Sequence, residues 1–445
     1  MGNGRFRWRY ALLAALLAAL SLLPELPLTM QGRAVLAITL FTGTMWFSEA
    51  APLHVTALLS TVLLILSGQV SAGSAFSPYF SPTIVLFFGG FMIARAMQRH
   101  GLDRQIALAF SSRFGSEPSM YLLGLMAATA FLSLWISNTA ATAMMLPIAL
   151  IAVTRSKLKP LQSNYAKAVV LGIAFASTIG GIGTIVGTPP NGITVADLAK
   201  AGIGVSFLEW MYYGMPFVLL FLPLSWFILM RVYPPEIKKV ALEQKAPAWS
   251  KEHGLVLLVM GLAVAAWVTS FAHGVPDAAV GVGAVVLLYA FGLLETEDAS
   301  KIDWATLLLF GGGLSLGTAI DASGLGAYLG GLLGALVAGQ GLPVIYLAVL
   351  AFAVLMTLSA SNTATAALLV PVMIPLAGAV GAGVKGLAIL AGIGTSLDFI
   401  VPVGTPPSAI AYSSGYVSVK DMARAGLWIT LAGMLLLAGL ALLYW

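Results

Sequence analysis

Cysteine is absent from this 445-residue chain, which excludes disulfides, thiol nucleophiles and thiolate-held metals. Charge is scarce. Asp, Glu, Lys and Arg make up 9% of the residues, against about 25% in a soluble domain, so the chain lacks the polar surface that would face water. Histidine is rare as well: His54, His100, His253 and His273 are scattered without ligand spacing, and no structural metal site is expected. Neither a Ser-His-Asp set nor paired carboxylates occur at membrane depth, which leaves a membrane-embedded enzyme without machinery. The net charge of +5 does not point to nucleic acid, because the Lys and Arg residues sit in short connectors.

What is abundant is apolar length. Hydrophobic residues make up 59% of the chain, in runs at 10–28, 34–50, 53–71, 83–98, 119–152, 166–196, 211–232, 254–274, 278–293, 304–320, 326–380, 385–412 and 425–445. A membrane crossing needs about 20 apolar residues, so there is room for about ten or eleven crossings plus connectors. Runs 119–152, 166–196 and 326–380 are too long or too broken for simple crossings, and 385–412 resembles the second of these. Each contains a polar cluster, and two carry a Pro-Pro pair where a plain helix should continue. At the start, Arg5, Arg7 and Arg9 precede the apolar stretch Ala11–Leu23. Pro24-Glu25-Leu26-Pro27 offers no small-x-small cleavage site, so the segment reads as an uncleaved first membrane helix.

Positive charge sorts by connector. Arg5, Arg7, Arg9, Arg99, Arg104, Arg113, Arg155, Lys157, Lys159 and Lys167 share one side. Arg231, Lys238, Lys239, Lys245, Lys251, Lys301, Lys420 and Arg424 join them if 119–152 and 326–380 are re-entrant hairpins. Arg33, Lys200 and Lys385 remain on the other side. Lys and Arg favour the cytoplasm, which puts the N-terminus inside and Trp445 outside. Treating the two long runs as single crossings spoils the sorting.

An internal repeat is readable by eye. Phe87-Phe88-Gly89-Gly90 followed by Gly101-Leu102 matches Leu309-Phe310-Gly311-Gly312 followed by Gly324-Leu325. Ser137-Asn138-Thr139-Ala140 matches Ser361-Asn362-Thr363-Ala364, with Pro147 and Pro371 closing the apolar stretches behind them. Gly187-Thr188-Pro189-Pro190 matches Gly404-Thr405-Pro406-Pro407. The charge sorting gives the halves opposite orientation. Inverted repeats with interrupted segments in matching places point to a midplane binding site of a secondary transporter.

The chemistry of the motifs agrees. Non-helical backbone survives in hydrocarbon only inside protein or beside a cavity. Ser-Asn-Thr at a hairpin tip offers hydroxyls, an amide and the free N–H groups of a new helix start, which suit a carboxylate or sulfate. Gly-Thr-Pro-Pro breaks a helix, since proline removes a donor and disfavours helix just before it, and the freed carbonyls suit a hard cation such as Na⁺. Two copies give two cation sites flanking one anion site. Taken singly, Ser-Asn-Thr could only cap or pack a membrane helix, and Pro-Pro could only kink one. The duplication of both together argues against that.

These motifs and their order, from about residue 34 to 445, resemble the divalent anion–sodium symporter family, which carries di- and tricarboxylates or sulfate. The resemblance implies an all-α fold of about eleven transmembrane helices with two re-entrant hairpins, a homodimer, and an elevator mechanism with scaffold and transport parts. It implies substrate contacts from Ser137, Asn138, Thr139, Thr188 and Pro189 in one half and Ser361, Asn362, Thr363, Thr405 and Pro406 in the other. It also implies one Na⁺ near Ser133, Ser137, Asn138 and Gly187, and another near Thr357, Ala360, Asn362 and Gly404. Ser133 and Thr357 each stand four residues before the serine of their motif, where one helical turn would stack them beneath it.

Two positions depart from the family pattern. Ser408 follows the second Pro-Pro where Asn191 follows the first. Asp398 stands where a small or apolar residue is usual, and an intramembrane carboxylate is a functional candidate by default: it could bind a cation, pair with a proton or alter which anion is preferred, and so tune the coupling ion; the bland alternative is a carboxylate facing a wet crevice or hydrogen-bonded to neighbouring hydroxyls. Glu49 reads as a capping or pairing residue. Trp46, Trp210, Tyr212, Tyr213, Tyr444 and Trp445 read as interfacial aromatics, and the Phe-Gly-Gly stretches as points of close helix approach.

The expected organisation is 1–116 first-half scaffold, 117–232 first-half transport part, 233–253 cytoplasmic linker, 254–325 second-half scaffold and 326–445 second-half transport part. The expected function is sodium-coupled symport of a small dianion, a C4-dicarboxylate such as succinate, malate or fumarate, across a bacterial inner membrane. The partners are the dianion, Na⁺, lipid and a second copy, with no cofactor beyond the coupling ion and no nucleic acid. Exchange or proton coupling, and sulfate or citrate as substrate, are the alternatives within transport. A channel is disfavoured because the polar residues form one central cluster, not a continuous lined pore.

Overall fold

Every backbone polar group in a bilayer needs an internal partner, and in the computed structural model helices meet that demand almost alone. The structure describes residues 8–20, 26–241, 248–402 and 404–445, and no strand occurs among them. Arg5, Arg7, Lys245 and the Pro24-Glu25 pair lie outside the described residues. One helix, Trp8–Leu20, precedes two series that repeat element for element.

In the first series Met30–Phe47, Leu53–Leu66, Pro82–His100 and Leu102–Arg113 lead into a helical hairpin, Pro118–Ser133 and Asn138–Arg155. A broken helix, Asn164–Gly181 and Pro189–Lys200, follows, and then a long helix, Phe207–Val232. In the second, Lys251–Val268, Asp277–Ala290, Trp304–Ala322 and Leu325–Leu336 lead into the hairpin Leu342–Thr357 and Asn362–Val380. The broken helix Val384–Gly394 and Pro406–Ser413 and the long helix Val419–Tyr444 complete it. Seven helices among the described residues are long and apolar enough to cross a membrane.

Local sequence explains the boundaries. Gly101 (φ 68°) and Gly324 (φ 75°) turn the chain in the left-handed region between matching helices, a conformation only glycine adopts without strain. Ser163 and Ser206 cap helix starts by accepting from the Ala166 and Glu209 amides, and Ser418 and Asp421 form a reciprocal capping box. Both outer arms of the broken helices, Asn164–Gly181 and Val384–Gly394, are apolar on all sides and buried nearly throughout, as such helices must be.

The halves interlock. Pro189–Lys200 packs on the second hairpin's Asn362–Val380, and Pro406–Ser413 packs on the first hairpin's Asn138–Arg155. The Phe-Gly-Gly stretches do bring helices close: a methyl on Gly89 would lie 2.7 Å from Gly281 Cα, and one on Gly312 would lie 2.7 Å from the Ala57 carbonyl oxygen. The described part of segment 233–253 is held at several points. The Tyr233 hydroxyl donates to the Asp421 carbonyl at 2.8 Å, the Glu236 carboxylate accepts from Ser163 Oγ and the Tyr165 amide, and the Ala241 amide donates to Ser156 Oγ.

Four expectations are corrected. Segment 326–380 is not one hairpin: Leu325–Leu336 is a separate helix, ended before Gly339 (φ 77°), and it repeats Leu102–Arg113. Trp46 and Trp210 are fully buried and donate to the Leu53 and Ile182 carbonyls; both are core residues. Tyr212, Tyr213, Tyr444 and Trp445 do form one aromatic cluster. Glu49 is exposed in the left-handed region (φ 46°) and has no capping or ionic partner among the described residues. Ser133 and Thr357 are the last residues of their helices, so a tight turn, not a continuing helix, folds each motif back over them.

At the end of the membrane-spanning helix Pro82–His100, a cross-half ion cluster ties it to the turn before Trp304. Asp298, wholly buried, accepts from Arg95 Nε at 2.9 Å and from Arg99, which also reaches Glu295. Burial pushes the Asp298 carboxyl up, but the Glu295 amide and the two guanidinium groups reverse this and hold it at about 2. A lowered carboxyl pKa stabilises the fold above the unfolded value near 3.9, and that contribution is lost as pH falls toward about 2. Asp298→Asn should therefore lower the thermal midpoint of the purified protein at pH 7, with the gap to wild type closing as acid is added. Scanning fluorimetry across pH measures both; a gap independent of pH would remove the ion cluster from the account.

Candidate substrate and cation site

Four helix N-termini meet at one place. The starts of Asn138–Arg155, Pro189–Lys200, Asn362–Val380 and Pro406–Ser413 surround a cavity of about 200 Å³. That is smaller than the roughly 300–1,000 Å³ of drug-sized ligand sites, and suits a small metabolite. A helix N-terminus carries about half a positive charge and free N–H groups, so this cavity favours an anion without any Lys or Arg in its wall.

The side chains at these starts are arranged by capping. Ser137 and Ser361 are N-caps whose Oγ atoms accept from the Ala140 amide (3.3 Å) and the Ala364 amide (3.1 Å). Their motif partners Asn138, Thr139, Asn362 and Thr363 are thereby held over the cavity. Thr188 and Thr405 are extended N-caps, each followed by proline in the first helical turn. Ser137, Asn138, Thr139, Thr188, Pro189, Ser361, Asn362, Thr363, Thr405 and Pro406 all line this one cavity, as do Gly187 and Gly404.

Behind the cavity lie two oxygen clusters, one per half. In the first, one amide atom of Asn138 faces two carbonyls, Ser177 at 3.1 Å and Gly187 at 3.3 Å, and the Ser133 hydroxyl at 2.8 Å, which can donate or accept. Facing them with nitrogen, the amide donates to all three. Facing them with oxygen, it completes a four-oxygen set of the kind a hard cation takes. In the second, Thr357 Oγ1 lies 2.6 Å from Asn362 Oδ1 and 2.9 Å from the Thr395 carbonyl. Ala360, buried in the hairpin turn, has only its backbone carbonyl to offer. Asp398 is also wholly buried and lies against Gly404.

The loops between broken arms are held differently. Asn191 Nδ2 donates to the Gly181 carbonyl (2.9 Å) and the Thr184 carbonyl (2.7 Å), stitching the first loop across its width. Ser408, its counterpart, has its side-chain hydroxyl bonded to Thr405 Oγ1 alone among the described residues, and its amide donates to the same oxygen. Sequence reasoning missed the facing wall: Leu53, Phe91, Val186, Asp303, Thr306 and Leu309 also line the cavity. Asp303 caps the helix Trp304–Ala322 by accepting from the Thr306 amide and hydroxyl. A capping Asp two residues after Lys301 was visible in the sequence, but nothing in it tied that helix start to the motifs.

Comparison with known proteins agrees with this arrangement. The family model for the sodium:sulfate symporter transmembrane region matches residues 5–445. An uncharacterized transporter of Haemophilus influenzae is 34% identical over 441 residues, covering 95% of this chain and 94% of its own length. The sodium-dependent dicarboxylate transporter SdcS of Staphylococcus saprophyticus is 34% identical over 462 residues, covering 96% of this chain and 89% of its own length. SdcS of Staphylococcus aureus is 35% identical over 441 residues, covering 92% of this chain and 85% of its own. Among solved structures, Neisseria gonorrhoeae MtrF superposes with a TM-score of 0.63 at 12% identity, covering 98% of this chain and 94% of its own. The Alcanivorax borkumensis YdaH transporter gives 0.59 at 14%, covering 98% and 96%. These two show a shared fold.

The first cluster has no spare room. A methyl on Gly181 would collide with Asn138 Oδ1 and lie 3.0 Å from the Gly187 carbonyl oxygen. Gly181→Ala should abolish cation-dependent transport while leaving a folded protein, whereas Gly378→Ala, where a methyl meets open space, should behave as wild type. Uptake assays beside size-exclusion profiles check this; normal transport by Gly181→Ala would contradict the geometry.

Proposed function

The chain belongs to the sodium:sulfate symporter transmembrane family, and on that footing we propose that it is a sodium-coupled symporter of a C4-dicarboxylate, working by an elevator-type alternation. The observation that carries this reading is the convergence of both Ser-Asn-Thr motifs and both Thr-Pro-Pro loops on one cavity, each with an oxygen cluster behind it. Two motifs facing each other suit an anion with a carboxylate at each end, and two cations behind them balance its two charges. Relatives named as sodium-dependent dicarboxylate transporters support the same choice.

Coupling follows from the asparagine amide. With a cation in the first cluster, Asn138 turns its oxygen inward and its nitrogen toward the cavity, within 3.5 Å of Thr188 Oγ1, where it donates to a carboxylate. Without the cation, nitrogen is drawn inward by the three oxygens and oxygen faces the anion, which it repels. Asn362 repeats the arrangement beside Thr357. Sodium thus prepares the anion site, and the anion in turn favours the sodium-holding orientation.

Two features support the elevator. The inner arm of each broken helix packs on the opposite hairpin, so the motif-bearing elements form one interlocked body. The remaining wall, Leu53, Phe91, Asp303, Thr306 and Leu309, comes from the other helices, so the cavity lies where two parts would slide. A homodimer built on the scaffold helices and a cytoplasmic N-terminus complete the proposal. The Lys and Arg sorting supports the orientation.

In proteoliposomes, succinate uptake should require an inward Na⁺ gradient and stop when K⁺ replaces Na⁺ at fixed pH. Asn138→Ala and Asn362→Ala should each lower it about 10- to 100-fold, the effect of one hydrogen bond to a charged group. Uptake that ignores sodium but follows a pH gradient or internal dicarboxylate would replace symport with proton coupling or exchange. Sulfate or citrate moving in place of succinate would change the substrate class.

A further inference from the structure

The halves differ at one point that this transport cycle does not use. The register that pairs Gly187 with Gly404 also pairs Gly181 with Asp398. In the first half, a methyl on Gly181 would point at Asn138 Oδ1 and the Gly187 carbonyl, that is, into the cation cluster. The matching position of the second half carries a carboxylate, Asp398, beside Gly404. Its Oδ2 occupies the place where a side chain on Gly404 would begin, with Oδ1 3.0 Å from that point. Gly404 itself lines the substrate cavity.

Among the described residues, no cationic side chain pairs with this carboxylate. Asp398 is wholly buried, and among the described residues neither of its oxygens has a hydrogen-bond partner of good geometry, although the Ile400 and Val401 amides face it. Ser396 Oγ, two residues earlier, is likewise buried without a partner. Lysines on neighbouring elements are engaged elsewhere: Lys167 with Asp421, Lys200 with Asp197, Lys385 with Glu209. A buried uncompensated carboxylate is costly, and a coordinated cation removes that cost.

We propose that Asp398 is a direct ligand of the second coupling cation, joining Thr357 Oγ1, Asn362 Oδ1 and the Thr395 carbonyl. The inference rests on the sodium-coupled reading above and deepens it. It makes the two sites unequal: the first is built of neutral oxygens, while the second carries a formal negative charge and holds its cation more tightly. It also joins the two departures from the repeat into one change. Asn191 stitches the first loop to the Gly181 carbonyl; Ser408 is too short to do the same, and the loop so released accommodates a carboxylate at position 398.

The test is sodium binding by the purified protein without any dicarboxylate, read as the Na⁺-dependent rise in thermal midpoint with choline as the balancing ion. Wild type should show two binding phases. Asp398→Asn should weaken the tighter phase about tenfold or more and leave the other in place, and Ser133→Ala should do the reverse. Asp398→Gly, which gives the second loop the residue of the first, serves as an independent variant with the same expectation if the asparagine variant does not fold. A sodium curve for either folded Asp398 variant that superimposes on wild type, while Thr357→Ala weakens binding, overturns the assignment and leaves the symporter standing. A wild type without any sodium response overturns both.

Discussion

Everything in this protein follows from having to satisfy broken backbone inside a bilayer. Four helices start near the middle of the molecule, and each start leaves N–H groups without intrahelical partners. In hydrocarbon those groups require either protein or a polar occupant. The sequence supplies part of the answer with Ser137, Ser361 and Thr405 as caps, and leaves the remainder facing one shared cavity. The interlocking of each broken helix with the opposite hairpin is what keeps the four ends together. The cavity so built offers free N–H groups to an anion, with no Lys or Arg among the described residues of its wall.

The repeat does more than duplicate a motif: in the proposed mechanism the same residues serve cation and anion. Asn138 and Asn362 each have one face toward an oxygen cluster and one toward the cavity. An amide presents an acceptor at one end and a donor at the other, so filling the cluster and filling the cavity favour the same orientation. The Gly residues around the first cluster belong to the same design: Gly181 and Gly187 are in backbone contact, and a methyl on Gly181 would meet Asn138 Oδ1. Asp398 stands at the position of the second half that matches Gly181.

Much of this was legible in the sequence, because the signals were chemical and repeated. The Ser-Asn-Thr and Thr-Pro-Pro motifs stood at matching places, and every residue carried over from them lines the cavity. Less local features were not legible. Trp46 and Trp210 look like interfacial aromatics in a linear chain, yet each fills a core gap and donates to a carbonyl, Leu53 in one case and Ile182 in the other. The start of the second hairpin is hidden in 326–380, because the glycine-rich helix Leu325–Leu336 is as apolar as the membrane segments around it. The far wall at Phe91, Asp303 and Thr306 is assembled by tertiary packing alone, and no spacing in the sequence announces it.

The central claim is that both motifs form a single anion site with sodium behind it. An electron cryomicroscopy structure determined in Na⁺ and succinate tests it most directly. The account predicts ligand density bridging Ser137–Thr139 and Ser361–Thr363, with ion density between Asn138 and the Gly187 carbonyl. Succinate density outside this cavity, or in contact with only one of the two motifs, would contradict it.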